Sequence, residues 1–263
     1  MTDDSKIYLH NFLKVRGLAK PDGRMLFRYK TTSTEYQEIQ QRFGNSIKAL
    51  CWDPLTFNSR EECALFVLYA AEWWRREYDG GAWKWASIFE SFSQGNYKID
   101  PQERAAAIER GLYAWQLRTS PDGKKYFGSI VANGGLPLKM VAQGDGTISK
   151  LLLGATRKAQ LLGWDEHSLK AHFQSRERDL ISHLRANQIY DLLAKMIFAV
   201  LELRNEYKLA GVSNPVEVLE QRCPDWRERF PISVDVKDTS VEPLLRGLVK
   251  EAAYQATIKT LYP

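Results

Sequence analysis

The sequence predicts a mainly α-helical α+β fold: a multi-helix globular domain with one or two short β-hairpins. Three observations lead to this prediction. Apolar residues recur at helical spacing over most of the chain. Several of these stretches begin with Ser, Thr or Asp, the residue types that cap helices. Two Pro-Asp-Gly turns, each followed by basic and aromatic residues, indicate short strands between the helices.

The first elements alternate helix and turn. Ser5 can cap a first helix, which Gly17 ends in the position that glycine favours after a helix. Residues 21–23 form the first Pro-Asp-Gly turn, in which proline presets φ and glycine accepts a positive φ. Residues 25–29 follow this turn and are predicted to be a short strand.

The next elements are helices, followed by a second turn and a second predicted strand. Thr32 and Ser59 each stand three residues before a glutamate, the spacing of a capping box, and each starts a helix. A cap followed by Pro101 starts another helix, because proline suits the first helical position. The second Pro-Asp-Gly turn, residues 121–123, leads into residues 124–132, which are predicted to be a second strand.

The remaining sequence is mostly helical. Thr147 can cap a helix that Gly163 closes, and apolar residues recur at helical spacing from Ile189 to Leu201, with the polar Arg204 at the next position. Residues 232–236 are a candidate strand, and a last helix is predicted over residues 241–261.

We expect a single domain over residues 1–263, because no linker or low-complexity stretch interrupts the chain. A subdivision into a mixed α/β part, residues 1–145, and a helical part, residues 146–263, is the alternative. The chain ends directly after a helical pattern, so we expect it to be the N-terminal part of a longer protein.

Composition and charge restrict the class of protein. The three cysteines lack metal-ligand spacing, and no apolar run approaches the roughly 20 residues that span a bilayer. We therefore expect a cytoplasmic protein with no membrane span, no bound metal and no cofactor. The net charge is +5, and residues 101–160 carry nine basic and four acidic side chains. This local excess is either a solvated face or a surface that attracts phosphates.

Residues 64–85 are the most unusual stretch, because eight apolar or aromatic residues, 64–71, run directly into a block of tryptophans and arginines. A helix that is apolar on every side must be buried. Glu72 and Arg76 are one helical turn apart and can pair, so the block has a structural interpretation. It also has the composition of a protein-binding hot spot and of a base-stacking surface. We call this block the aromatic block. Its partner-binding candidates are Trp73, Trp74, Arg75, Arg76, Trp83 and Trp85.

The phosphate-binding candidates come from the basic middle segment. They are Arg118, Lys124, Lys125, Lys139, Lys150, Arg157 and Lys158.

One pattern resembles a metal-dependent nuclease. Asp225 precedes Asp235 and Lys237 by ten and twelve residues, and such enzymes use two acids to hold Mg²⁺ and a lysine to steady the attacking water. Charges on an edge strand are the alternative interpretation. The sequence contains no P-loop, dinucleotide-binding fingerprint, zincin helix or nucleophile elbow.

Four segments together carry a family resemblance: residues 12–18, residues 21–29, the stretch LYAAEWWRREYDGGAWKW at 68–85, and residues 134–138. In this order they resemble the N-terminal region of a family of large, poorly characterised bacterial proteins, which are encoded beside helicases in mobile and antiphage-defence islands. The resemblance implies a context of defence against foreign DNA and supplies no catalytic residues.

Two function classes follow. The first is a non-catalytic, nucleic-acid-associated module of a bacterial antiphage-defence protein, with the basic segment 118–158 facing DNA phosphates. The second is an interaction module that docks a helicase or another defence subunit through the aromatic block. A Mg²⁺-dependent nuclease is a remote third.

Overall fold

A computed structural model describes residues 2–49, 57, 59–93, 99–119, 125–142, 146–180, 184–232 and 240–254. Over these ranges the fold is all-α, so the α+β prediction was wrong in its β-hairpins. The chain divides into two compact units, Met1–Pro137 and Leu138–Pro263.

The first unit is built around one buried helix, α3. Its helices are α1 (Thr2–Val15), α2 (Ser33–Ala49), α3 (Arg60–Glu77), α4 (Trp85–Glu90), α5 (Pro101–Ala114) and α6 (Lys125–Gly134). A short 3₁₀ helix, Leu26–Tyr29, lies between α1 and α2. The predicted capping box is confirmed, because the Glu62 amide donates to Ser59 Oγ at 3.0 Å. Residues 63–71 are all buried, and α1, α2, α5 and α6 pack around them.

A glycine explains how closely α5 approaches α3. A Cβ on Gly111 would lie 2.3 Å from the carbonyl oxygen of Cys63, so no larger residue fits between the two backbones. The Trp115 indole, at the end of α5, donates to the Ala64 carbonyl at 2.8 Å. This contact and the close backbone approach attach α5 along α3.

The strand predicted over residues 25–29 was wrong. Leu26–Tyr29 is one turn of 3₁₀ helix that buries Leu26, Phe27 and Tyr29. Leu26 and Tyr29 share one side of this turn, because residues three apart eclipse in a 3₁₀ helix. The turn packs on α3 and α6, which bury its apolar side chains without a partner strand.

The strand predicted over residues 124–132 was also wrong, because Lys125–Gly134 is helix α6. Its aromatic and β-branched residues favour a strand locally, yet Ile130, Val131 and Gly134 fall on one helical face. A Cβ on Gly134 would lie 2.6 Å from the Ala71 carbonyl oxygen, so that face packs tightly against α3. Of the third candidate strand, residues 232–236, only Ile232 is among the described residues.

Two predicted helix caps were wrong and others are confirmed. Ser5 lies inside α1 rather than at its start. Thr147 is the first residue of the helix Thr147–Leu162, whose cap is Gly146. Thr32 and Glu35 form the expected capping box, and the Asp100 side chain caps α5.

The second unit packs around α10. Its helices are α7 (Leu138–Val141), α8 (Thr147–Leu162), α9 (Glu166–Ser175), α10 (Asn187–Glu206), α11 (Pro215–Arg222) and α12 (Glu242–Ala253). The 3₁₀ helices Glu177–Asp179 and Trp226–Arg229 also belong to this unit. Helices α8, α9 and α12 contact α10, and α8 also packs on α12. Gly163 ends α8 with a positive φ of 63°, as predicted.

Candidate functional site

The aromatic block at the end of α3 lies largely inside the first unit. Trp74 is fully buried, and its indole donates to the Gly135 carbonyl at 2.8 Å. Its ring stacks on Tyr78 with centroids 4.4 Å apart and contacts the ring of Trp83. Trp74 is therefore part of the core rather than a surface for a partner.

The charges of this block are paired with one another. The buried Glu72 carboxylate accepts from Arg75 Nη2 at 2.6 Å and from Arg76 Nε at 2.8 Å. Arg76 also donates to Ser33 Oγ at 3.0 Å and to the Thr31 carbonyl. Arg75 is thus paired within α3, and Arg76 joins α3 to residues 31 and 33.

The three tryptophans of the block other than Trp74 keep part of their surface. Trp73, Trp83 and Trp85 are half-buried. The Trp83 ring lies between the other two, 5.6 Å from each centroid, and Arg104 lies 5.0 Å from the Trp85 centroid. Of the six partner-binding candidates, these three tryptophans and part of Arg76 reach the surface.

The seven phosphate-binding candidates do not share one element. Arg118 is exposed in the first unit, and Lys139 is exposed on α7 in the second. Lys124 lies outside the described residues, as does the side chain of Lys125. Lys150, Arg157 and Lys158 come together on helix α8.

Helix α8 presents an exposed basic face. Lys150, Gly154, Arg157 and Lys158 are exposed and recur at spacings of three and four residues, which places them on one side of a helix. The helix carries three cations and no acid among its 16 residues. Its opposite side is buried, with Leu152, Ala155 and Ala159 in the core of the second unit.

The three cations of this face differ in their surroundings. Arg157 Nε donates to the Glu251 carboxylate on α12 at 2.7 Å. Over the part of the chain that the structure describes, no acid pairs with Lys150 or Lys158. We use the name α8 face for Lys150, Gly154 and Lys158, and leave out Arg157 because it is already paired. Its two lysines are eight residues apart, which corresponds to about 12 Å along the helix axis.

Two features of the surface were missed by the sequence reasoning. Tyr113 on α5 is 73% exposed, and the Arg60 guanidinium lies 5.3 Å from its ring centroid. Gly154 lies at the centre of the exposed side of α8. Helical spacing carried a signal for Tyr113, because it lies off the apolar stripe formed by Ile108, Leu112 and Trp115.

The nuclease pattern is only partly described. Asp225 is exposed and precedes the 3₁₀ helix Trp226–Arg229, where its carboxylate accepts from the Cys223 thiol at 3.3 Å. Asp235 and Lys237 lie outside the described residues. Within the described ranges, no group of three His, Cys, Asp or Glu side chains is placed to hold a metal ion. Among the same residues, no helix has the length and hydropathy needed to cross a membrane.

Comparison with known proteins covers both units. The model of the YjiT N-terminal domain matches residues 2–136, and that of the YjiT second domain matches residues 143–260. The relative named Protein YjiT, from Escherichia coli (strain K12), is 27% identical over 260 residues, which are 95% of this chain and 47% of the relative. The chain therefore spans about half the length of the curated relative it matches. No solved structure matches it. With one family domain on each compact unit, the chain belongs to the YjiT family.

Proposed function

We propose that the chain is a nucleic-acid-binding module and that the α8 face contacts the phosphate backbone. The observation that supports this most strongly is the position of Lys150 and Lys158, exposed on an acid-free helix without an ion-pair partner in the described ranges. Unpaired cations on one face attract polyanions and release the counterions that nucleic acid carries. Because Arg157 is paired with Glu251, we expect it to contribute less.

Gly154 adds a second argument. A Cβ at this position would have no atom within 4 Å, so the packing of the unit does not require glycine there. Glycine in a helix interior costs about 1 kcal/mol relative to alanine. Its presence between the two lysines leaves the helix backbone open to the close approach of a ligand, and a sugar–phosphate backbone fits the charge of this face.

We also propose a cellular setting. The buried free thiols of Cys63 and Cys223 suit a reducing compartment, so we propose that the protein acts in the cytoplasm. Defence against foreign DNA, which the sequence resemblance implies, is part of the same proposal.

The test is binding of fluorescent DNA to the variant Lys150→Glu/Lys158→Glu at several salt concentrations. We expect wild-type affinity to fall steeply with salt. Loss of two phosphate contacts should reduce the slope of log affinity against log salt by about 2 for duplex DNA. At low salt, we expect the variant to bind at least about tenfold more weakly, since two lost charge contacts plus repulsion exceed about 1.4 kcal/mol.

The matched control is Lys208→Glu/Lys250→Glu, which changes the net charge equally at two exposed lysines of the same unit that lie off α8. It should retain nearly all affinity. Equal loss in both double variants would mean that net charge rather than the α8 face governs binding. Failure of the wild type to bind DNA at low salt would refute the proposal.

Docking of a helicase or another subunit is the second candidate. The partly exposed tryptophans Trp73, Trp83 and Trp85 favour it, because aromatic side chains are enriched where proteins bind one another. If the wild type binds no DNA, docking through these three rings becomes the better proposal. The test would measure how tightly a purified helicase, taken from the gene neighbourhood that the resemblance implies, binds wild type and Trp85→Ala. Equal binding by the two proteins would exclude Trp85.

A further inference from the structure

Tyr113 is the most exposed aromatic ring among the described residues, and it lies beside an arginine. Its side chain is 73% exposed near the C-terminal end of α5. The Arg60 guanidinium, at the first residue of α3, lies 5.3 Å from the ring centroid. Arg110, one helical turn before Tyr113 on α5, is also exposed.

The fold does not account for this ring. The side of α5 that packs on α3 is formed by Ile108, Gly111, Leu112 and Trp115, and all four are buried. Tyr113 points away from this stripe, so its ring gains little from the hydrophobic core. The acid one turn before it, Glu109, accepts a hydrogen bond from the Tyr126 hydroxyl at 3.0 Å. The Tyr113 ring is thus left at the surface with the Arg60 guanidinium over it, whereas the Arg110 side chain turns back along α5, where its Nε donates to the Ala106 carbonyl at 3.3 Å.

We propose that Tyr113 is a stacking platform for an unpaired base, and that Arg60 contacts the phosphate next to that base. The ligand class is single-stranded nucleic acid, so the proposal rests on the proposed nucleic-acid-binding function and specifies its substrate. Every base has a flat face that stacks on an aromatic ring, whereas a duplex keeps those faces inside its own stack. A cationic groove with aromatic rings is the general means by which proteins bind single strands.

The test compares an oligo-dT strand with a duplex of equal length, each titrated into wild type, Tyr113→Ala and Tyr113→Phe. Loss of one base stack should weaken binding of the single strand by roughly 5- to 100-fold in Tyr113→Ala. Duplex binding should change by less than about twofold, a difference well below one stacking contact. Tyr113→Phe keeps the ring and should bind like wild type. Because the side chain is exposed, the thermal unfolding midpoint of both variants should match that of wild type.

The outcomes separate this proposal from the α8 face. If Lys150→Glu/Lys158→Glu weakens binding and Tyr113→Ala does not, the stacking platform is refuted and the proposed function stands. If Tyr113→Ala weakens single-strand binding and the α8 variant does not, the platform stands and the α8 face is refuted. Equal weakening for single strand and duplex in Tyr113→Ala would refute base stacking. A wild type that binds neither strand nor duplex refutes both.

Discussion

Glu72 shows how a charged residue can belong to the core of this protein. Its side chain is 1% exposed and that of Arg75 is 2% exposed, yet each has a charged partner. Burying a single charge is strongly unfavourable, whereas a paired and hydrogen-bonded charge is tolerated. The pairing of Glu72 with Arg76 follows from their spacing of four residues, and it is present at 2.8 Å.

Removal of this carboxylate should be among the most damaging single changes in the chain. Glu72→Ala takes the carboxylate away from the buried Arg75 guanidinium, and breaking a buried pair in this way costs about 3–5 kcal/mol. We expect urea unfolding to report a loss of that size. Glu90→Ala, at an exposed glutamate of α4, is the control and should change stability by no more than about 0.5 kcal/mol. A similar, small change in both variants would show that the Glu72 pair is not needed for stability.

At the scale of the elements, local sequence preference decided where several helices start. It did not decide whether every segment is a helix or a strand. The capping boxes at Thr32 and Ser59 need only residues three apart, so they were readable from the sequence. Residues 124–132 were misassigned because their aromatic and β-branched residues favour strands locally. Contact with α3, close enough to require Gly134, stabilises the helix instead.

The same glycine substitution should have opposite effects in two helices. Gly111→Ala places a Cβ 2.3 Å from the Cys63 carbonyl, and backbone cannot move aside cheaply, so we expect a loss of about 1–3 kcal/mol. Gly154→Ala meets no atom within 4 Å and removes a poor helix former, so we expect a gain of about 0.5–1 kcal/mol. Unfolding free energies of the two variants, measured side by side, check this. Changes of the same sign would contradict the packing described for α5 or the openness of α8.

At the scale of the whole molecule, a four-membered charge network joins three elements of the second unit. Arg227 donates to Glu220 and to Glu242, and Arg246 donates to the same two carboxylates. The network links α11, α12 and the 3₁₀ helix Trp226–Arg229. The hydrogen bond from Arg227 is the main cause that lowers the pKa of Glu220 and of Glu242 below the ordinary value of 4.5.

These lowered pKa values predict a loss of stability in acid. A carboxyl whose pKa is lower in the folded state stabilises the fold fully above its unfolded pKa of about 4.5 and loses that contribution as the pH falls through the folded pKa. We expect the thermal unfolding midpoint to fall on acidification below about pH 4.5. In Glu220→Gln/Glu242→Gln, which cannot titrate at these positions, the fall should be smaller. An equally steep fall in both proteins would mean that other carboxyls dominate.

The candidate sites show the same division between local and long-range information. The basic excess of residues 101–160 was visible in the sequence, but Arg157 turned out to be paired with Glu251, 94 residues away. The tryptophan and arginine block was equally visible, but its sequence could not separate the buried Trp74 and Arg75 from the half-exposed Trp83 and Trp85. Only the positions of distant elements decide which side of such a segment meets solvent.

The sequence by itself determined the helical character of most of the chain, the buried course of α3 and the pairing of Glu72 with Arg76. Each of these depends on residues within one or two helical turns of one another. The tertiary structure alone decided that residues 26–29 and 125–134 are helical, that Gly111 and Gly134 are required by packing, and that Lys150, Lys158 and Tyr113 stand exposed. These outcomes depend on contacts between elements far apart in the chain, where burial of apolar surface outweighs local backbone preference.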